Sequence, residues 1–170
     1  MMMQTMTKVQ LRPRTVRVTL ALRPAGPADA LLISDHRDAM FADSGIAAAT
    51  IRQASGMYRD WLAGALATDA YLGWLAEDDD LVVGSIGLWL LPWPHHPKHP
   101  GTNVRGYITN MWVDPAHRRK GVGKLLVETA VAEAKTRGVT WMTLHATDEG
   151  RALYESMGWK PGNEMVLNLG

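Results

Sequence analysis

Between Arg105 and Val127 the chain reads RGYITNMWV, DPAHRRKGVG and KLLV, and this order narrows what can be built around it. Tyr107, Ile108, Met111, Trp112 and Val113 are β-branched, aromatic or long apolar residues, which suit a pleated, mostly buried strand. Asp114-Pro115 ends that strand, because proline lacks the N–H a central strand needs. Apolar residues then return at Val122, Leu125, Leu126, Thr129, Ala130 and Ala134, close to the helical period. Gly138 ends the helix, with Lys135 and Arg137 in the last turn, where cations suit the dipole. A strand that feeds a helix through a short basic turn presents backbone N–H groups and positive charge together. Such a turn suits a phosphate-bearing ligand.

The turn itself is Arg118-Arg119-Lys120-Gly121-Val122-Gly123-Lys124. Gly121 and Gly123 remove side chains where a ligand approaches the backbone. The dipole contributes roughly 0.3–1 kcal/mol per charge, so basic side chains and direct N–H bonds carry more of the holding. A Walker A loop fails here: Leu125 follows Gly123-Lys124, and Arg118 stands where the first glycine belongs. A dinucleotide fingerprint fails too, with Leu126 in place of its third glycine. For Arg119 or Lys120 alone, a solvated surface cation is nearly as good a reading. The pattern that fits is [QR]-x-x-G-x-[GA], begun by Arg118. Set between a strand ending Val113-Asp114-Pro115 and an amphipathic helix, it resembles the acetyl-CoA pyrophosphate loop of the GNAT N-acyltransferase superfamily.

The resemblance extends to Leu153-Tyr154 and Gly158-Trp159, which match the family's L-Y-x-x-x-G-[FW] helix end. It implies an α/β GNAT fold. The sheet is mixed and mostly antiparallel, with six to seven strands splayed between the fourth and fifth, and about four helices flank it. It also implies that an acetyl group passes from acetyl-CoA to a primary amine by direct attack in a ternary complex. Arg118, Arg119, Lys120, Gly121, Val122, Gly123 and Lys124 would hold the pyrophosphate. Met111, Trp112 and Val113 would meet the pantetheine and polarise the thioester through a backbone N–H, an oxyanion role worth roughly 2.7–4 kcal/mol. Thr147 stands where many members carry asparagine near the pantetheine. Tyr154 is the candidate general acid for the leaving thiolate. The base is less legible. Alternation back from Val113 aims Tyr107 and Thr109 at the site, neither an obvious base; Glu77 or His145 would serve, directly or through water. Asn110 fits either ligand or core. The acceptor is a small-molecule or peptide amine, and a homodimer is admitted. A non-catalytic acyl-CoA-binding or sensing module of the same fold is the alternative.

The 170 residues suit a single domain over 15–170, with 1–14 as a flexible tail. Net charge +1 argues against a dedicated polyanion binder, so nucleic acid is not expected as a partner. The absence of cysteine excludes disulfides, a thiol nucleophile and a cysteine-acyl intermediate, and fits a cytoplasmic protein. No apolar run approaches a membrane span. Thr15 to Arg23 alternates as a strand. Ala28 to His36 reads as a helix with Leu31, Leu32 and Ile33 inward, and Ser44 to Leu66 as a longer one that Gly56 breaks or kinks. Its apolar residues include Ile46, Ile51, Met57, Tyr58, Trp61 and Leu62. Tyr71–Glu77 and Leu81–Leu90 form a hairpin around Asp78-Asp79-Asp80. Strands follow at Thr140–Ala146 and Met165–Leu169, the second closing the chain, with a helix over Asp148–Met157 between them. His95, His96 and His99 sit in a proline-rich loop without cysteine or a clear acidic partner. They point to an acceptor-side loop walled by Trp89 and Trp93 rather than to a metal site, and no metal is expected. Trp61 and Trp74 are candidates for the pocket or for the core.

Overall fold

A computed structural model describes residues 20–169. The tail over 1–14 and the first part of the strand from Thr15 lie outside the described residues. Among the described residues there are five strands and four α-helices, in the order β1 Leu20–Pro24, α1 Ala30–Asp43, α2 Ala48–Ala67, β2 Tyr71–Asp78, β3 Leu81–Pro92, β4 Val104–Val113, α3 Val122–Thr136, β5 Met142–Leu144 and α4 Asp148–Ser156. The sheet order is β1-β2-β3-β4-β5. The first three pairings are antiparallel, and β4 and β5 run parallel.

The sheet is covered on both faces. On one, α3 presents Val122, Leu126, Ala130 and Ala134, four residues apart, to Val83, Ile86, Leu88 and Ile108. On the other, Ile33 of α1 and Leu62 and Leu66 of α2 meet Tyr71 and Leu75. Gly87 faces this second layer, where a Cβ would collide with the Tyr71 ring and hydroxyl. The ends of α3 follow the sequence reading: Gly138 takes φ +73°, its N–H donates to Lys135 and that of Val139 to Ala134.

Several expectations need correction. The first helix runs on to Asp43, and Gly45 at φ +82° ends it. The second therefore starts at Ala48, leaving Ile46 exposed in the connection. Ala30, Ile33 and Ser34 form the buried face of α1, which turns Leu31 outward, 54% exposed. Gly56 neither breaks nor ends α2, and Met57 faces away from the core. Trp74 is a core residue. The sheet has five strands among the described residues, not six or seven. The expected closing strand Met165–Leu169 is not a strand, and its apolar side chains are 82–94% exposed. With only three residues, β5 offers a short edge to pair with. Just before that segment, Glu164 is held by both carboxylate oxygens, 2.8 and 2.7 Å from Arg105.

The feature that shapes the site lies inside β4. Its register against β3 passes from Ser85↔Trp112 to Gly87↔Thr109, so Asn110 and Met111 stand opposite Ile86 alone. This is a β-bulge, with Asn110 at φ +52°. Below it, Ile108 faces α3 and Tyr107 faces the α2 layer beside Trp89. Above it the faces exchange: Met111 and Val113 join the α3 core, while Trp112 stacks on His36 of α1. Simple alternation from Val113 to Tyr107 therefore fails at Asn110. The Asn110 amide faces the α2 layer and donates to the Tyr58 hydroxyl.

Candidate functional site

β4 and β5 pair across three rungs only, Gly106↔Met142, Tyr107↔Thr143 and Ile108↔Leu144. From Thr109 onward the strands part, and among the described residues β4 has no strand along that edge. A cavity of about 520 Å³ lies at the end of this wedge. Met111, Trp112 and Val113 wall it on the β4 side. Arg118, Arg119, Gly121, Val122, Gly123 and Lys124 form its end, and Thr147, Glu149, Gly150, Ala152 and Leu153 its α4 side. Met40, Asp43 and Ser44, from the end of α1, and His117 complete it.

The basic turn is built to gather donors. Arg119 and Gly121 lie at φ +62° and +88°, while Arg118 between the strand and Arg119 is extended at φ −63°. Alternation of backbone hand turns successive N–H groups towards one side. The first intrahelical bond of α3 runs from Leu125 to Gly121. The N–H groups of Val122, Gly123 and Lys124 therefore have no acceptor within the helix. The two glycines serve different ends. Gly121 supplies the left-handed conformation, and an added Cβ would meet nothing within 4 Å. Gly123 supplies closeness: a Cβ there would stand 3.2 Å from Leu153, across from α4.

Arg118 does more than offer charge. Its Nε donates to the Val113 carbonyl at 3.0 Å, and its terminal nitrogen pairs with Asp43 at the end of α1. The guanidinium thus ties β4 to α1, and Asp43 balances part of its charge. Lys120 is not among the residues that line the cavity. Thr147 caps α4, its Oγ1 accepting from the Gly150 N–H at 3.2 Å. A hydroxyl that accepts can still donate, so Thr147 keeps one bond to offer towards the cavity.

The three candidate acid–base residues are not gathered at one point. Tyr154 lies on the inner face of α4, 7% exposed, with its ring edge-on to Trp159 at 6.0 Å. It packs behind Gly150 and does not line the cavity itself. Burial pushes its hydroxyl up to about 12. His145, exposed past the end of β5, is hydrogen-bonded through Nδ1 to the Tyr107 hydroxyl. The Tyr107 hydroxyl is itself shifted upward, by burial first and then by the Glu164 carboxylate. Glu77 is taken out of reach by an ion pair: Arg23 Nε holds its carboxylate at 2.7 Å, on the β1 side of the sheet. Glu77, like His145 and Tyr154, is not among the residues that line the cavity.

The histidine loop packs against the start of β5 and not beside the cavity. His99 stacks on Trp141 at 5.1 Å and 8°, and Trp93 meets the same indole edge-on at 5.8 Å. Only Trp89, of the two expected walls, turns to the α2 layer, where it meets Trp61 at 5.3 Å. The sequence reading missed Asp43 and Tyr58. Each acts through a contact between segments far apart in the chain, so no local pattern marks either.

The family model described as "Acetyltransferase (GNAT) family" matches residues 35–159. A crystal structure of a GCN5-related N-acetyltransferase from Ralstonia eutropha JMP134 superposes with a TM-score of 0.85 at 41% identity, covering 88% of this chain and 98% of that one. A predicted acetyltransferase from Clostridium acetobutylicum, in a structure with acetyl-CoA, gives 0.82 at 26% identity, covering 89% and 97%. Among curated proteins, the [ribosomal protein bS18]-alanine N-acetyltransferase of Salmonella typhimurium is 42% identical over 55 residues, 31% of this chain and 37% of that protein. Human N-acetyltransferase 8 is 32% identical over 90 residues, 51% of this chain and 37% of that protein. The chain thus spans little more than a third of the length of these curated relatives.

Proposed function

Because the chain belongs to the GNAT acetyltransferase family, we propose that it moves an acetyl group from acetyl-CoA to a primary amine by direct attack in a ternary complex. One observation carries this reading: the cavity where β4 and β5 part ends on the unpaired N–H groups and cations of the Arg118–Lys124 turn. A diphosphate would take that end, and a pantetheine arm would lie along the open edge of β4 as an extra strand does.

The amine nitrogen bonds to the thioester carbon, the C–S bond breaks, and the amine proton leaves to solvent or to a base. A backbone N–H between Met111 and Val113 stabilises the oxyanion. His145, steadied by Tyr107, is the base this reading favours. This reading assigns Tyr154, packed behind Gly150, to the sulfur side. With its hydroxyl near 12 and an ordinary thiol at about 8.5, complete proton transfer to the thiolate is uphill. Its contribution is a hydrogen bond to the departing sulfur.

An amine-acceptor screen that follows free thiol release tests the reading. Gly121→Glu places a carboxylate at the diphosphate end and raises the KM for acetyl-CoA at least tenfold. The cost of the left-handed conformation, roughly 1–2 kcal/mol, falls on the turn, and the fold persists. Tyr154→Phe lowers kcat about tenfold with little change in KM; unchanged turnover rejects its role. Acetyl-CoA binding by calorimetry with no thiol released from any amine would favour a sensing module.

A further inference from the structure

The α2 face of the sheet carries a second group of residues that the acyl-donor cavity does not use. Trp61 of α2 and Trp89 of β3 meet nearly at right angles, 5.3 Å apart, and remain 41% and 36% exposed. Met57, one helical turn before Trp61, is 72% exposed and extends the same patch. Tyr58 and Tyr71 back Trp61 at 5.6 and 6.0 Å. Across the sheet Trp89 pairs directly with Tyr107, whose hydroxyl reaches His145. Adjacent indoles left this open form an apolar surface that a folded chain rarely presents without use.

Its position relative to the thioester follows from the strand register. The inner end of the cavity is at Met111, just past the bulge. Trp89 and Tyr107 lie two rungs below Gly87 and Thr109. At about 3.3 Å per residue, the platform is roughly 10 Å along β4 from the bulge. Between them Gly87 has no side chain, and the Tyr71 ring fills the space beneath. Tyr71 is itself buried, and the exposed His145 and half-buried Tyr107 border this stretch.

Charge narrows what suits it. Two arginines that border this surface, Arg37 beside Tyr58 and Arg105 two residues before Tyr107, are engaged. Arg37 lies over the rings of Tyr58 and Phe41, at 4.3 and 4.6 Å, with Asp38 3.5 Å away. Arg105 is held between Trp93 and Trp141 and paired with Glu164. A phosphate or carboxylate on an acceptor would meet indole faces and no uncommitted guanidinium from either residue. An ammonium is attracted to those faces, by about 0.5–2 kcal/mol.

We propose that Trp61 and Trp89 form the acceptor platform and select a primary amine borne on a planar apolar body through a short alkyl arm. This rests on the acyl-transfer reading of the adjoining cavity. The amine reaches the bulge past Tyr107 and His145 while its ring lies on the indoles.

The test compares phenylethylamine and tryptamine with butylamine, spermidine and glucosamine 6-phosphate, by thiol release at saturating acetyl-CoA. Expected is a kcat/KM for the aryl amines at least tenfold above the others. Trp61→Ala and Trp89→Ala each cut the aryl-to-butylamine ratio about tenfold, and Trp61→Phe restores part of it. Calorimetry with acetyl-CoA reports whether each variant is folded. Tryptamine binding to the CoA complex is measured in parallel, and is weakened about tenfold in the alanine variants. Transfer to butylamine or glucosamine 6-phosphate with no aryl preference, or a ratio unmoved by either alanine, overturns the platform and leaves acyl transfer standing. Tryptamine binding that depends on Trp61, with no thiol released from any amine, leaves the platform standing and removes acyl transfer. Absence of tryptamine binding together with absence of aryl turnover overturns the platform.

Discussion

Asn110 occupies a conformation that few side chains accept, φ +52° in the middle of a strand. Asparagine tolerates it better than most residues, and its amide is anchored on the Tyr58 hydroxyl. The anchor matters because the same bulge sets the direction of the Met111–Val113 backbone. Tyr58→Phe leaves the buried amide without that acceptor, a loss of about 1–3 kcal/mol. Urea melts should show it, and steady-state kinetics should show kcat falling about tenfold with the KM for acetyl-CoA nearly unchanged. An equal rise in KM would place the effect on coenzyme binding instead. The residues of the turn from Arg118 were legible because their roles depend on neighbours in sequence: a left-handed glycine, a close-approach glycine, and cations before a helix. Asn110 was ambiguous because a strand pattern carries period two and no sign of where an extra residue enters. The ion pair of Glu77 was not legible because its partner, Arg23, is 54 residues away.

Among the elements, α1 is tied to the site twice. Its last residue, Asp43, pairs with Arg118, and His36 lies under the Trp112 ring with Nδ1 2.9 Å from the Ser85 hydroxyl. Burial pulls the His36 imidazole below its ordinary value of 6.5, against the opposing pull of Asp35 and Asp114. A histidine kept neutral in the fold binds its proton more weakly than in the unfolded chain. Stability is thus full above pH 6.5 and drains as pH falls below that value. The acid-side losses from Asp29, Asp114 and Glu164, all held below the usual carboxylate range, come later, from about pH 4 downward. Chemical denaturation at pH 7.5 and 5.5 should show a loss in the native protein, and a smaller one in His36→Asn. The existence of α1 was readable from its composition, but its length was not. Asp38 to Asp43 are competent helix formers with no stop signal before Gly45. Of the three consecutive residues expected inward, Ile33 is buried and Leu32 packs against the core, but Leu31 turns outward, because a run of apolar residues assigns no direction by itself.

For the molecule as a whole, the order of elements as far as α4 was legible in the sequence, since most strands are bounded by proline, glycine or aspartate, while the mixed sheet was what the family resemblance implied. The number of strands did not, because Met165-Val166-Leu167 has strand composition but β5 gives it only a short edge. That same shortness has a kinetic consequence. β5 and α4 are joined to the rest of the fold by three rungs, by Arg105, whose Nε donates to Thr143 at 2.8 Å, by the Tyr107–His145 hydrogen bond and by Tyr154 in the core. A unit so lightly sutured opens by itself more often than the whole chain unfolds. Amide hydrogen exchange should find Met142–Ser156 opening at lower free energy than β2 and β3, and acetyl-CoA should slow exchange there most of all. Uniform slowing across the sheet would contradict this. The coenzyme, lying along both lips of the seam, would then act as a stitch as much as a reagent, and product release would coincide with the loosening of one end of the fold.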